Sequence, residues 1–411
     1  MAKNKVLKNT IMLYVINIAK MVFPLLTLPY LTRVLSEDMY GLVSYVKSCM
    51  TYIQLLIDFG FILSSVKDIV KANGNKEEIG CIVGNTFFSK FILSIISFCI
   101  LIVMCFIIKI LQLNITYVVL SFIGVATTIF LADFLFRGIE KMQYITGIYL
   151  ISKGVAVILT FFVIKGDSDI LWIPTMDIIS HIISIIITLI IIKKMGIRVR
   201  VSKIKDCFIM LKNSFVYFMS SVATTAFSAL NTVLVGIYIS DLSQIAQWSL
   251  CINIISTIQN LYSPICNSVY PHMIKEKSLS FIHKIMKLCM PIVVIGCIFS
   301  FFFAKTALFI VGGEKYVGAY QLFQCMIPIL FFSFPAQIYG WPALGTIGKE
   351  KYVTASTIVA AILHVLGLIL LVCLNRFTLI NLAFLKDVTE MFFMVIRMCF
   401  VYKNKHYFVK G

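Results

Sequence analysis

Apolar runs long enough to cross a bilayer recur twelve times along this chain, and that recurrence narrows the fold before any single residue is considered. A helix needs about 20 apolar residues to traverse the hydrocarbon core. Windows of that length lie near 9–32, 42–65, 81–108, 115–136, 143–164, 171–192, 214–237, 245–268, 286–309, 321–344, 353–374 and 377–400. Lipid offers no water to satisfy backbone N–H and C=O groups, so each run is predicted as a helix. The runs fill most of the 411 residues, leaving no room for a soluble catalytic domain. The first run is too long for a secretory leader, lacks a small-residue cleavage site and is followed by span after span. The tenth, with Pro328, Pro335 and Pro342, is predicted to be broken or re-entrant.

An even number of spans puts both termini on one side, and the basic residues say which. With the amino terminus inside, the cytoplasmic connections and ends receive 25 of the 36 Lys and Arg residues, counting Arg397 and the ends at Lys3, Lys5, Lys8 and Lys410. The outer connections receive Arg33, Lys109, Lys165, Lys315 and Arg376. The net charge of +18 therefore reflects membrane orientation and predicts no nucleic-acid partner. A contact with anionic lipid by the basic segment 193–212 stays open. The 12 Cys residues fall mostly in apolar spans without a CxxC pair or a His-rich cluster, so they read as small apolar fillers, with no metal or cofactor predicted. GTIGKE at 345–350 is too short for a nucleotide-binding P-loop.

The longest inner connection divides the chain into six-span halves, 1–195 and 213–411, joined by a cytoplasmic linker at 196–212. Asn9 to Ser36 and Asn213 to Ser240 match in length, with Tyr14 and Tyr217 similarly placed and LSED matched by ISDL. Six spans return the chain to its starting side, so the halves are expected as parallel repeats around a central cavity. Polar stripes mark the faces that would line it: Thr10, Tyr14, Asn17, Lys20 and Pro24 in span one; Ser44, Ser48, Thr51 and Asp58 in span two, beside Lys47 and Gln54; Asn213, Tyr217, Ser221, Thr224, Ser228 and Asn231 in span seven. Such stripes are equally the surface by which membrane helices pack.

Charges inside the spans are harder to absorb as packing, since each costs at least about 2.5 kcal/mol on insertion scales unless it finds water or a partner. Lys20, Lys47, Lys90, Lys153, Lys305, Lys386, Asp58, Asp387 and Glu390 all fall there, Lys305 near enough to an outer end to snorkel. The first half sets four lysines against Asp58, with Asp133 and Asp177 as further acids. That surplus of cation points to an anionic ligand, or else to paired structural charges. In span twelve, Lys386 and Glu390 are four apart and can pair; with Asp387 they form either a neutral network or a site for a coupling ion. Asp58, Asp387 and Glu390 are the candidate coupling acids. Asp177 and His181 are also four apart and could share a proton, but neither they nor His272 or His364 offer a catalytic geometry.

PLLTLPYLTRVLSEDMYGLVSYVKS, preceded by an amino-terminal asparagine and tyrosine, then LLIDFGFILSSVKDIV, a basic connection and GNTFFSK, resembles the polysaccharide transporters that flip undecaprenyl-diphosphate-linked O-antigen or related repeat units. These belong to the multidrug/oligosaccharidyl-lipid/polysaccharide exporter (MOP) superfamily. NTVLVGIYIS, SPICNSVYPHM and AKTALFIVGGEKYVGAY extend the resemblance over essentially the whole chain, with the most specific motifs in residues 1–90. The resemblance implies an all-α polytopic membrane protein of twelve transmembrane helices in two six-helix bundles, a MATE-like inverted V that opens alternately to each side. It also implies a transporter rather than an enzyme, in a bacterial inner membrane. Lys20, Lys47, Lys90 and Lys153 become candidates to meet diphosphate or acidic sugars. Arg33, in the matching Pro29–Gly41 pattern, becomes either a gate and headgroup contact or an interfacial anchor. The implied partners are an undecaprenyl-diphosphate-linked glycan, a proton or sodium gradient, and a glycan polymerase and chain-length regulator in the same membrane. A drug or cation exporter of the same fold would want acids dominating its cavity. A non-transporting scaffold would leave the buried charges without employment, and a glycan ligase or polymerase would need a long outer loop.

Reporter fusions test the orientation. Fusions at Asn75, Ser202, Glu276 and Lys349 are expected to report cytoplasm, and those at Asp38, Gly166, Asp241 and Lys315 the outside. The reverse pattern on both sides of segment 193–212 would overturn it.

Overall fold

A computed structural model of the protein describes residues 2–226 and 229–408. Ser228 and Lys410 lie outside these residues, as do the side chains of Lys3, Lys5, Lys8, Thr10 and Thr224. The chain divides into two compact units, 1–225 and 226–411.

In the first unit, capping residues and left-handed turns delimit the helices. α1 (Ala2–Val34) ends just before Ser36, whose hydroxyl accepts from Met39 N at the start of α2 (Glu37–Asp58), where Glu37 and Asp38 suit the positive end of the helix dipole. Phe59 and Gly60, both at positive φ, bend the chain into α3 (Phe61–Lys71). Asn75 caps α4 (Lys76–Ile107) by accepting from Glu77 N and Glu78 N. α5 (Lys109–Leu113) turns the chain into α6 (Ile115–Thr127), α7 (Asp133–Gly138) continues that span after a short break, and α8 (Met142–Val163) and α9 (Trp172–Lys194) form a hairpin. Lipid tails are as apolar as leucine, so close packing rather than water release holds these helices together. α9 accordingly buries Ser180, Ser184 and Thr188 at four-residue spacing, and α8 meets α1 through Thr146 Oγ1 to Met12 O at 2.9 Å and Tyr30 OH to Ile164 O at 2.6 Å.

α10 (Ile204–Ala226), the first helix of the second sequence half, is tied to this first unit. The segment before it runs extended along Gly80 and Gly84 of α4, where added Cβ atoms would come within 2.1 and 2.2 Å of the carbonyl oxygens of Arg198 and Arg200. Arg200 N donates to Gly80 O, and Ser202 N donates to Asn85 Oδ1 at 2.9 Å. Further along, Ser64 and Ser214 share a hydrogen bond of 2.6 Å, and Phe59 stacks on Phe218 with ring centres 4.5 Å apart. The linker expected at 196–212 is thus held on α4, and the boundary between compact units falls at 225/226.

The second unit contains α11 (Ala229–Tyr238), α12 (Leu242–Asn260), α13 (Ser263–Glu276), α14 (Leu279–Phe302), α15 (Ala304–Gly312), α16 (Tyr320–Met326), α17 (Pro328–Ile338), α18 (Glu350–Cys373) and α19 (Leu379–Lys403). The proline-rich tenth window breaks as predicted: Glu314–Met326 and Pro328–Ile347 meet at 43°, and a π-helical turn at Tyr339–Leu344 contains non-helical Gly340. Arg397 of α19 secures that turn. Its guanidinium donates to Ala336 O at 2.6 Å, to Ser356 Oγ at 3.1 Å and to Thr357 Oγ1 at 3.4 Å, and lies 4.0 Å from the Phe393 ring centre. A Cβ on Gly340 would come within 2.6 Å of this guanidinium, so a side chain there would displace it. Arg397, counted from the sequence among the solvated cytoplasmic cations, is instead buried at a junction of three helices. Lys305 is exposed and lies 4.5 Å from the centre of the Tyr320 ring.

Among the described residues, eight helical segments are long and apolar enough to cross a membrane, nine with the bent pair. The other expected spans are also helical, but each departs from a continuous apolar run. Residues 227–228, outside the described residues, separate α10 from α11; α12 and α13 meet at Leu261–Tyr262; α19 carries Lys386, Asp387 and Glu390 close together.

Replacing Arg397 with Lys removes the fork that reaches three acceptors at once, and is expected to cost roughly 1–3 kcal/mol. A lowered thermal unfolding midpoint in detergent is the measurement, and an unchanged midpoint would show that the junction does not need the guanidinium.

Candidate functional site

The first unit encloses a cavity of about 520 Å³ between α1, α2, α6, α8 and α9. It exists because small residues face it, Ser121 and Gly124 from α6 and Ala156 and Thr160 from α8, where larger side chains would close the space. Into it project Lys47 and Gln54 from α2, Tyr149 and Lys153 from α8, and Asp177 and His181 from α9.

Its charge is unbalanced. Lys153 Nζ pairs with Asp177 Oδ1 at 2.5 Å. Lys47 is exposed on the cavity wall and closes no ion pair among the described residues. Lys20, from the exposed face of α1, lies 5.6 Å from the centre of the Tyr149 ring, a cation–π geometry that brings a third ammonium to the rim. Two lysines on the wall and a third at the rim thus face one lining carboxylate around a space of about 520 Å³ inside a membrane helix bundle. Among the described residues no hydrogen bond joins Asp177 to His181, which their spacing would have allowed; His181 Nδ1 faces Gly124 O at 2.7 Å and Thr127 Oγ1 at 3.1 Å.

Lys90 sits apart from the cavity lining. It is buried and donates to Asp58 Oδ1 at 2.8 Å, while Gln54 Nε2 donates to Asp58 Oδ2 at 2.7 Å and to Thr128 Oγ1 at 3.0 Å. Asp58 therefore joins α2 to α4 and to the end of α6, with both oxygens engaged. Arg33, exposed on the last turn of α1, is not among the residues lining the cavity.

The acids of α19 lie in the second unit, in a separate buried polar cluster. Lys386, Asp387 and Glu390 are each less than a tenth exposed. The Lys386–Glu390 pair expected from their spacing does not close as a direct ion pair among the described residues; the two interact only at longer range. Asp387 Oδ1 is buried without a hydrogen-bond partner. Sequence reasoning weighed His364 only as a catalytic group and set it aside; this unit buries it with Nδ1 3.0 Å from Thr389 Oγ1 and Nε2 2.9 Å from Asn231 Oδ1. The available signal was a histidine at the centre of an otherwise apolar span.

The two pairs in the first unit differ in what they hold. Asp58→Asn leaves Lys90 buried with a neutral partner and is expected to destabilise by about 2 kcal/mol, below the roughly 3–5 of a fully enclosed pair because Asp58 itself is 42% exposed. Asp177→Asn, at a carboxylate 53% exposed to the cavity, is expected to cost about 1 kcal/mol or less. Equal shifts in the two unfolding midpoints would contradict this division.

Residues 6–277 match the family described as "Polysaccharide biosynthesis protein". The chain is 27% identical over 372 residues to a putative O-antigen transporter of Shigella dysenteriae, covering 87% of this chain and 91% of that one. Its fold is similar to the structure described as "Lipid II flippase MurJ, inward closed conformation", with a TM-score of 0.71 at 15% identity over 96% of this chain and 87% of that one. It is also similar to an inward-facing multidrug resistance MATE family transporter of the MOP superfamily, with a TM-score of 0.65 at 12% identity over 93% and 98% of the two chains. With the family match covering more than half its length, the chain belongs to the polysaccharide biosynthesis protein family, and its fold likeness to the two solved transporters extends over nearly the whole chain.

Proposed function

We propose that the protein is a flippase that carries undecaprenyl-diphosphate-linked oligosaccharide repeat units, O-antigen or a related polysaccharide, from the cytoplasmic to the outer leaflet. The observation that carries this reading is the surplus of cation at the first-unit cavity: Lys47, Lys153 and the Tyr149-bound Lys20 against Asp177. A diphosphate is the ligand such a surface favours, because clustered ammonium groups gain most from a multiply charged anion with many acceptor oxygens. A cationic drug would meet net repulsion there. The putative O-antigen transporter to which the chain is similar supports the same substrate class.

In this reading the twelve helical spans form two six-helix bundles in an inverted V with both termini in the cytoplasm, and alternating access carries the headgroup past the lysines while the prenyl tail stays in lipid. Lys20 and Lys47 meet the substrate directly, and Lys153 exchanges Asp177 for a phosphate oxygen. Lys90 reaches it only by leaving Asp58, which serves mainly as its counter-ion. Arg33 acts at the outer end of α1 as an anchor that can also meet the departing headgroup. Asp387 and Glu390 couple transport to a proton or sodium gradient. A polymerase and a chain-length regulator in the same membrane take up the product.

Two measurements test the proposal. A triple variant with Lys20, Lys47 and Lys153 changed to Gln is expected to insert normally and to lower surface polysaccharide by about tenfold or more, with Arg replacements better tolerated. Normal glycan output from the well-expressed triple variant would reject the cationic site. In reconstituted vesicles, undecaprenyl-diphosphate-linked glycan is expected to cross and a cationic drug is not; transport of the drug alone would make the protein an exporter.

A further inference from the structure

α9 ends at Lys194, and Gly196, at positive φ, turns the chain into the extended strap that leads to α10. This strap is held by its backbone. The carbonyl oxygens of Arg198 and Arg200 lie against Gly80 and Gly84, and Arg200 N donates to Gly80 O at 3.3 Å. Asn85 secures the far end: its Oδ1 accepts from Ser202 N at 2.9 Å and its Nδ2 donates to Ser202 Oγ at 2.8 Å. With the main chain fixed in this way, every residue from Arg198 to Asp206 is left exposed. The exposed side chains are of two kinds. Seven Lys and Arg residues lie from Lys193 to Lys212 against one acid, Asp206, whose Oδ2 accepts from the Ser202 hydroxyl at 2.8 Å. Arg200 reaches Glu77 at 3.5 Å in an exposed, weak pair, and the other six cations close no ion pair among the described residues. Between them stand Val199, Val201, Ile204 and Phe208, which are between 41% and 62% exposed.

We propose that the strap and the first turns of α10 form a binding surface for anionic phospholipid headgroups, with the apolar side chains entering the acyl layer beside them. The charge excess expected of an inner connection requires neither a fixed backbone nor exposed apolar side chains, since a mobile solvated loop satisfies it. In water, Val199, Val201, Ile204 and Phe208 are unfavourable to expose. At a lipid interface both kinds of side chain are satisfied: the apolar ones leave water, while Lys and Arg lay their stems along hydrocarbon and set their charges among the phosphates. Clusters of about four to eight basic residues beside a membrane span attract anionic lipid in this way. The glycine groove and Asn85 fix where the charges stand, so a headgroup meets them without first ordering a loop. The diphosphate of a lipid-linked cargo offers the same phosphate chemistry. The phospholipid fits better, because five extended residues separate Arg198 from Lys203 by up to about 17 Å, which suits a row of headgroups rather than one compact diphosphate.

The surface stands independently of the cargo, so its test needs no transport assay. Full-length protein in detergent is titrated with phosphatidylglycerol, or with phosphatidylcholine as the neutral control, and retained lipid is counted by native mass spectrometry. Phosphatidylglycerol is expected to bind at least about tenfold more tightly, with a preference that shrinks as salt is raised. R198Q/K203Q/K205Q should lower that preference by about tenfold or more, whereas R198K/K203R/K205R, which keeps the charge, should stay within about twofold of wild type. N85A keeps all seven cations but releases Ser202, and is expected to weaken phosphatidylglycerol binding by about threefold to tenfold. An undiminished preference in the folded Gln variant would overturn the site, and an unchanged affinity in N85A would overturn the part assigned to the fixed backbone. Should the Gln variant not fold, N85A and two competitors decide. Glycerol phosphate competing as well as the intact lipid would make this a site for soluble anions, and undecaprenyl diphosphate displacing phosphatidylglycerol at about a tenth of its concentration would assign the surface to the cargo; either result would overturn the phospholipid.

Discussion

Every arrangement in this protein follows from the absence of water in the hydrocarbon around it. A charge or a backbone polar group within a span has to find its partner in the protein or keep a hydrated space of its own. Lys90 is resolved by Asp58, itself supported by Gln54, and Arg397 by the carbonyl of Ala336 and two hydroxyls. Lys20 rests against Tyr149, and Lys47 faces the cavity. The same pressure separates cations that are satisfied within the fold from those that are not. The second group is concentrated at the cavity, and it is this residue of unmet charge that supports an anionic substrate.

Packing obeys the companion rule that lipid provides little hydrophobic drive between helices, so small residues and close backbone approach do the joining. The Gly80–Gly84 groove is the clearest instance. It admits the extended chain before α10 so closely that a single Cβ would collide with a carbonyl oxygen. With the Ser64–Ser214 and Phe59–Phe218 contacts, this groove makes α10 part of the first compact unit, although in sequence it opens the second half. A boundary read from loop length and charge places the division at the longest inner connection. The compact units divide at 225/226 instead.

The two polar centres differ in kind, and the difference bears on the function proposed. The first-unit site is roomy, lined by small residues and rich in cation, which suits a bulky charged cargo. The second-unit cluster is buried and mixes both signs of charge on the helix that also supplies Thr389 to the buried His364, which suits a small ion. The break at Gly340 is secured by Arg397, which lies on the same helix as Lys386, Asp387 and Glu390.

The class of the fold was legible in the chain itself: repeated apolar runs demand membrane helices because only helices or closed barrels satisfy the backbone in lipid. The prolines of the tenth span carried their consequence locally, so its break needed no tertiary information to be anticipated at about the right place. The charges inside the spans were visible too, but their partners were not. The i,i+4 pairs that sequence spacing offered, Lys386 with Glu390 and Asp177 with His181, gave way to different surroundings, while Lys90 found Asp58 and Lys153 found Asp177 across helices. Spacing along one helix says which side chains can meet, whereas the rotation and approach of neighbouring helices decide which do. That choice depends on the total packing of small residues and on desolvation at each depth, and so only the assembled tertiary structure could make it.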